Sequence, residues 1–229
     1  MRQTRHQHTA ILFFSKTSSA EAEGKKLAAA KRQTKAIAQV FIKNTRQILR
    51  GLDLPVFTIS ENLQRGDSFG ERLQNAFQDI FDKGFTNVIA IGNDCLTLNK
   101  NHIQQAIDAL ETTPSVLGPS TDGGVYLLGF QKECFNTFGL KNIAWQTNNV
   151  FNELVQNTNN QCVTLDILSD IDNVNDLIVS LKTLSVSLKN ALSTLLESLV
   201  SKPFETRLDF IHSHLLTAHL LRGPPVRFI

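Results

Sequence analysis

Asn87-Val-Ile-Ala-Ile-Gly92, followed at once by Asn93-Asp94-Cys95, decides how this chain is read. Its apolar run is short, near-continuous and without polar alternation. That is the pattern of a strand covered on both faces, as in a parallel sheet. Parallel neighbours need crossover connections, so helical segments should flank it. They do. Upstream, Ser68 to Lys83 places Phe69, Leu73, Phe77, Ile80 and Phe81 at helical spacing, and Gly84 ends the run. Downstream, Asn99 to Glu111 is amphipathic.

Further out the alternation continues. Thr9–Ser15 (TAILFFS) and Pro55–Ser60 (PVFTIS) read as strands, and Ala20 to Gly51 between them reads as one helix. Ser115 to Gly118 and Gly124 to Phe130 read as two strands around a Gly-rich turn, and Val163 to Ile167 as a late strand. Asp170 to Leu177 reads as a loop entering a helix capped by Asp172 or Asn173. Leu177 to Ser201 is Leu- and Ser-rich and helical, and the prolines of Arg222–Ile229 exclude helix there. The order implies an α/β fold: an open sheet with helices on both faces.

The 229 residues suffice for one sizeable core. The expected division is a domain over residues 1–180 and a C-terminal helical extension over 181–229, packed on it or forming a homodimer contact. A net charge of +2 gives the whole chain no strong bias toward nucleic acid or an anionic membrane. The charge is uneven, however: Lys25 to Arg50 carries eight Lys or Arg residues and no acid. That run reads either as a solvated helix face or as a positive wall beside a phosphate-bearing ligand. Three scattered cysteines without a CxxC argue against a disulfide framework, and no apolar run approaches the ~20 residues of a membrane span. The expected compartment is the cytoplasm.

In open α/β sheets, ligands bind beyond the carboxyl ends of the strands. That rule selects Lys16 after the first strand, Gln64, Arg65, Gly66 and Asp67 after the second, Asn93 and Asp94 after the third, and Ser120 to Gly124 after the fourth. Asp94, directly after the buried strand, suits a hard divalent ion that bridges to phosphate, or else caps the next turn. Asp122 reads as a second metal ligand or a general base, or as part of a plain Asp-Gly turn. Dinucleotide, P-loop, nucleophile-elbow and HExxH motifs do not occur. The histidines are mostly terminal and poorly spaced for a metal.

Five ordered segments carry a family resemblance. They are QRGDSFGERLQNAF (Gln64–Phe77), VIAIGNDCLTL (Val88–Leu98), LGPSTDGGVYLLG (Leu117–Gly129), IAWQTNNV (Ile143–Val150) and DIDNVNDL (Asp170–Leu177). Together they resemble an uncharacterised bacterial family of glycosyltransferase-A-like proteins, the nucleotide-diphospho-sugar transferase type. More distantly they are similar to molybdenum-cofactor and phospholactate guanylyltransferases. The likeness runs from Ala10 to about Leu177.

The resemblance implies a Rossmann-like three-layer sandwich with a mixed, mostly parallel sheet. It implies Asp94 and Asp122 on Mg²⁺ or Mn²⁺, with Asp122 also as catalytic base. Lys16, Lys25, Gln64, Gly66, Arg72 and Asn93 fall to a nucleotide, and Gly123, Gly124, Trp145 and Thr147 to the acceptor side. Trp145 is equally read as a core residue. This chain lacks the family's Thr-Arg after Lys25, and has Asn93 and Leu96 where Ser/Thr and Pro are usual. The expected activity is metal-dependent glycosyl or nucleotidyl transfer from a nucleotide or nucleotide-sugar. The alternative is a non-catalytic nucleotide-binding or protein-interaction module on the same fold.

Overall fold

The computed structural model describes residues 8–197. Among the described residues six strands form one sheet: β1 (Thr9–Phe14), β2 (Val56–Ile59), β3 (Asn87–Ile91), β4 (Ser115–Pro119), β5 (Val125–Gln131) and β6 (Val163–Thr164). Their order is β2-β1-β3-β5-β4-β6. The β1–β2, β1–β3 and β4–β6 ladders are parallel, whereas β5 runs antiparallel to β3 and β4. That reversal follows from loop length. Ser120 to Gly124 is far too short for a crossover, so β5 must return antiparallel to β4.

Helices cover both faces. Successive β1 side chains divide between the two layers. Ala10 and Leu12 pack with Leu73, Phe77 and Phe81 of α3 (Phe69–Phe81) and with Leu154 of α6 (Val150–Asn157). Ile11 and Phe13 pack with Ile42 and Leu49 of α2 (Lys31–Leu49) and with Ile103 and Ile107 of α4 (Lys100–Ala109). This is why β1 and β3 read as unbroken apolar runs. The result is a mixed, mostly parallel three-layer α/β sandwich.

Several boundaries depart from the sequence reading. The expected single helix over 20–51 is two, α1 (Ser18–Gly24), capped by Thr17, and α2. Between them Lys25 is extended (φ −103°, ψ 151°) and its side chain is drawn into the site described below. The helical stretch expected from Leu177 is likewise two, α7 (Val174–Ser180) and α8 (Val186–Glu197). Asn173, not Asp172, caps α7, accepting from the backbone N–H groups of Asn175 and Asp176. The late strand is shorter than expected, but Leu168 regains a bridge to Ser120. The short helix α5 (Lys132–Phe135), a 3-10 turn at Leu140–Asn142 and α6 had no counterpart in the sequence reading.

Leu192 of α8 is buried with Ile37 and Phe41 of α2, so this part of the extension packs on the sandwich. The tail Arg222–Ile229, His6, His212, His214 and His219 lie outside the described residues. Among the described residues no helix is long and apolar enough to cross a membrane.

Candidate active-site cleft

The carboxyl ends of β1, β3 and β4 and the start of the reversed β5 open into one cleft of about 620 Å³. Three cations line it, Lys16, Lys25 and Arg72, with five acids, Glu21, Asp94, Asp122, Asp170 and Asp172. Gln64, Asn93, Gly124, Trp145 and Thr147 of the expected set also line its walls, whereas Gly66 and Gly123 do not. Of the eight cations in the Lys25–Arg50 run, only Lys25 reaches the cleft.

Lys25 is its electrostatic centre. The ammonium lies 2.8 Å from Asp94 Oδ1 and 2.9 Å from Asp172 Oδ1, and it donates to the Ile171 carbonyl at 3.0 Å. Its side chain is only 15% exposed. Burial pulls the Lys25 pKa down, but Asp94 and Asp172 outweigh it and hold the ammonium above its ordinary value. The Gly24–Lys25 break in the helix makes this reach possible. Asn93, 3% exposed at the end of β3, donates from Nδ2 to Asp94 Oδ1 at 3.2 Å and steadies that carboxylate.

Asp170 and Glu21 were not singled out in the sequence. Ile171 is 1% exposed and pins its loop: its N–H donates to the Asp94 carbonyl at 3.1 Å. The two flanking acids, Asp170 and Asp172, are thereby delivered beside Asp94. Asp170 Oδ1 is buried with no hydrogen-bond partner. Burial first and the charge of Asp94 second push the Asp170 pKa up to about 7; a hydrogen bond with Ser120 opposes them, and the charges of Asp122 and Asp172 add less. Glu21 is 6% exposed and also raised, by burial first and Asp94 second. The legible signal was an apolar residue between two acids, Asp-Ile-Asp: burying that residue turns the two flanking carboxylates away from it and toward the cleft.

Asp122 closes its own turn. Its Oδ1 accepts from Ser120 Oγ at 2.5 Å and from the Gly124 N–H at 2.9 Å. The turn reading of Asp-Gly-Gly therefore describes the local backbone, while the carboxylate still borders the cleft. Gly123 has φ +88°, and a Cβ there would stand 2.0 Å from the Asn148 carbonyl oxygen. Its own carbonyl accepts from the Phe151 N–H at 2.9 Å, so the turn is stapled to the 145–151 segment. Gly123→Ala should cost about 2 kcal/mol or more, from positive φ plus the clash. Chemical denaturation checks this; an unchanged midpoint would mean that the segment moves away freely.

Trp145 is both packed and exposed to the cleft. Its Nε1 donates to the Leu140 carbonyl at 2.8 Å, and its ring stands 4.8 Å from that of Phe69. Gln146, next to it, holds φ 68°, an uncommon value for a side-chain-bearing residue. The Thr147 hydroxyl donates to the Ala144 carbonyl at 2.8 Å. Across the cleft, Gln64 Nε2 donates to the Ser15 carbonyl at 3.1 Å and ties the first two loops together. Gly66, at φ +131°, does not line the cleft itself; it sits against Glu71 at the start of α3. Arg72 Nη1 donates to the Asp67 carbonyl at 3.2 Å. His102 accepts the Asn99 N–H at the start of α4, outside the cleft.

A hard divalent ion suits this donor chemistry, because several carboxylates face one another and one buried oxygen of Asp170 lacks a partner. In the arrangement seen here the Lys25 ammonium lies between Asp94 and Asp172. Among the described residues no three His, Cys, Asp or Glu side chains already converge on one point for an ion.

A family model described as "Uncharacterized protein conserved in bacteria (DUF2064)" matches residues 5–147. No curated protein matches the chain. Among solved structures, a "putative nucleotide-diphospho-sugar transferase" from Desulfovibrio desulfuricans G20 is similar with a TM-score of 0.74 at 23% identity, over 84% of this chain and 98% of that one. A 4-diphosphocytidyl-2C-methyl-D-erythritol synthase from Anaerococcus prevotii DSM 20548 is similar with a TM-score of 0.50 at 8% identity, over 79% and 97%. At such identities the likeness is one of fold, and the fold is that of the nucleotide-diphospho-sugar transferases.

Proposed function

The chain belongs to the DUF2064 family of bacterial proteins, and on that premise we propose that its cleft binds the phosphates of a nucleotide or nucleotide-diphospho-sugar and transfers the glycosyl or nucleotidyl group. The observation that carries this is the meeting of Lys16, Lys25 and Arg72 with Asp94, Asp170 and Asp172 in one cleft at the strand ends. Cations alone would suit any anion. Cations beside several facing carboxylates suit a phosphate that arrives with a divalent ion.

In this reading Asp94 and Asp170 hold Mg²⁺ or Mn²⁺, and the ion, when bound, supplies charge neutralisation at the phosphate that leaves. Lys16, Lys25 and Arg72 bind the phosphate oxygens, with Gln64 and Asn93 fixing the loops that carry them. The Asp122 oxygen not engaged in the turn accepts a proton from the acceptor hydroxyl. Gly123, Gly124, Trp145 and Thr147 orient that acceptor. The acceptor side lies against the ring of Trp145, which suits a flat or sugar-like face.

A second reading is favoured by one observation. Lys25 already has three acceptors, Asp94, Asp172 and the Ile171 carbonyl, and no arginine follows it to share the phosphate. A cleft in that state is a binding module without turnover. Thermal shift against nucleoside triphosphates and nucleotide-sugars, with and without Mg²⁺ or Mn²⁺, tests the proposal. A ligand that binds only the folded state at a hundredfold excess over Kd adds about 2.7 kcal/mol. A metal-dependent shift for one nucleotide class supports the transferase reading. A shift without metal and without donor breakdown supports the binding module, and no shift across the panel overturns both.

A further inference from the structure

The basic run between Lys25 and Arg50 is not consumed by the cleft. In α2 and its C-terminal cap, Arg32, Lys35, Lys43, Arg46 and Arg50 are all exposed. At about 100° per residue they fall within roughly 80° of the helix circumference and extend over about 27 Å. None of them is in an ion pair among the described residues. The helix contains no acid. Lys100 comes from another element to the same end: its ammonium lies so near Gly51 that a Cβ there would stand 1.9 Å from it. The small net charge therefore conceals a cationic stripe, interrupted between Lys35 and Lys43 by Gln39.

The shape of the stripe selects its partner. α2 is laid flat on the sandwich through Ile37, Phe41, Ile42 and Leu49, and α8 packs beside it. Laid flat, the helix presents its cations as one straight, low row, which meets an anionic plane along its whole length, whereas the backbone of a duplex curves away from it. The stripe carries no exposed aromatic or aliphatic side chain between its cations, only Gln39 and Gln47 beside them, so it offers neither base stacking nor the apolar centre of a protein interface. A plane of negative charge needs neither.

We propose that the α2 face docks this protein reversibly on an anionic lipid surface, by charge alone and without insertion. Each cation near such a surface contributes modestly, and five or six along one line make binding measurable and strongly salt-dependent.

Co-sedimentation of the full chain with phosphatidylcholine vesicles, with and without phosphatidylglycerol, tests this. Binding is expected only with phosphatidylglycerol, and should be lost at high salt. Changing Arg32, Lys35, Lys43, Arg46 and Arg50 together to Gln, a good helix former, should weaken it about a hundredfold or more. A variant that exchanges Lys and Arg at the same positions should bind as the parent does. Thermal melting of both variants confirms that they are folded. Failure to bind anionic vesicles, equal binding by the Gln variant, or retention on duplex DNA with none on vesicles would each overturn the proposal. None of these five residues lines the cleft, so the outcome is independent of the nucleotide measurement.

Discussion

Asp170→Asn should stabilise the metal-free protein at pH 8 and do little at pH 4. The wild-type carboxyl is buried among Asp94, Asp122 and Asp172, with its pKa raised to about 7. In the unfolded chain it returns to the ordinary carboxylate range. A folded-state pKa above the unfolded value means that stability is fully present below the unfolded pKa and is lost as pH rises through the folded one. The loss accumulates between about pH 4 and pH 7 and then levels off, with a ceiling on the order of 4 kcal/mol. Asparagine has no proton to lose and avoids that cost, though its amide must still be accommodated beside Ser120. A net gain of about 2 kcal/mol at pH 8 is the expected result, some 4–8 °C in Tm for a chain of this size. Melting curves in a chelating buffer at both pH values measure it. A variant less stable than wild type at pH 8 would show that the carboxylate is well solvated or well partnered.

Lys25→Met has the opposite sign. It removes the ammonium held by Asp94, Asp172 and the Ile171 carbonyl, and leaves those carboxylates facing Asp170 and the buried Glu21. Breaking a fully buried pair costs about 3–5 kcal/mol. Here Asp94 and Asp172 are 36% and 57% exposed, so solvent screens part of the effect. About 1–3 kcal/mol is expected at neutral pH. Combining the change with Asp94→Asn should restore part of the loss, because the second change removes the charge left unopposed. Strict additivity of the two would deny the ion pair any energetic role. The same Lys25→Met change should also weaken nucleotide binding, since it removes one of three cations from the cleft.

How far these features were legible depends on how local their cause is. β1 and β3 were readable because both faces of each are buried, which leaves an unbroken apolar signature. α3 was readable from its apolar spacing; the structure adds that Ser68 and Glu71 cap each other's backbone N–H groups. The break at Lys25 had one local signal, Gly24, where α1 ends. What was not readable is where the Lys25 side chain goes, because Asp94 and Asp172 are distant in sequence. The short elements between Lys132 and Asn157 escaped because they are brief: α5 has four residues, the 3-10 turn three and α6 eight, too few for a helical period to stand out.

In the site, the strand-end rule found Asp94, Asn93, Lys16 and the Asp122 turn, because those positions depend only on where strands stop. Asp170 and Glu21 depend on a loop folding back and on burial. Asp122 shows the converse. Its turn chemistry and its place at the cleft are both real, and the sequence offered them as alternatives.

The nucleotide-induced thermal shift of the wild-type chain, set beside that of Asp94→Asn with and without Mn²⁺, decides whether the cleft is a metal-assisted phosphate site. Asp94 sits at the end of β3, within reach of Lys25 and beside Asp170, so a Mn²⁺-dependent shift is expected in the wild type and none in the variant. The same shift in both proteins would place the phosphate site elsewhere.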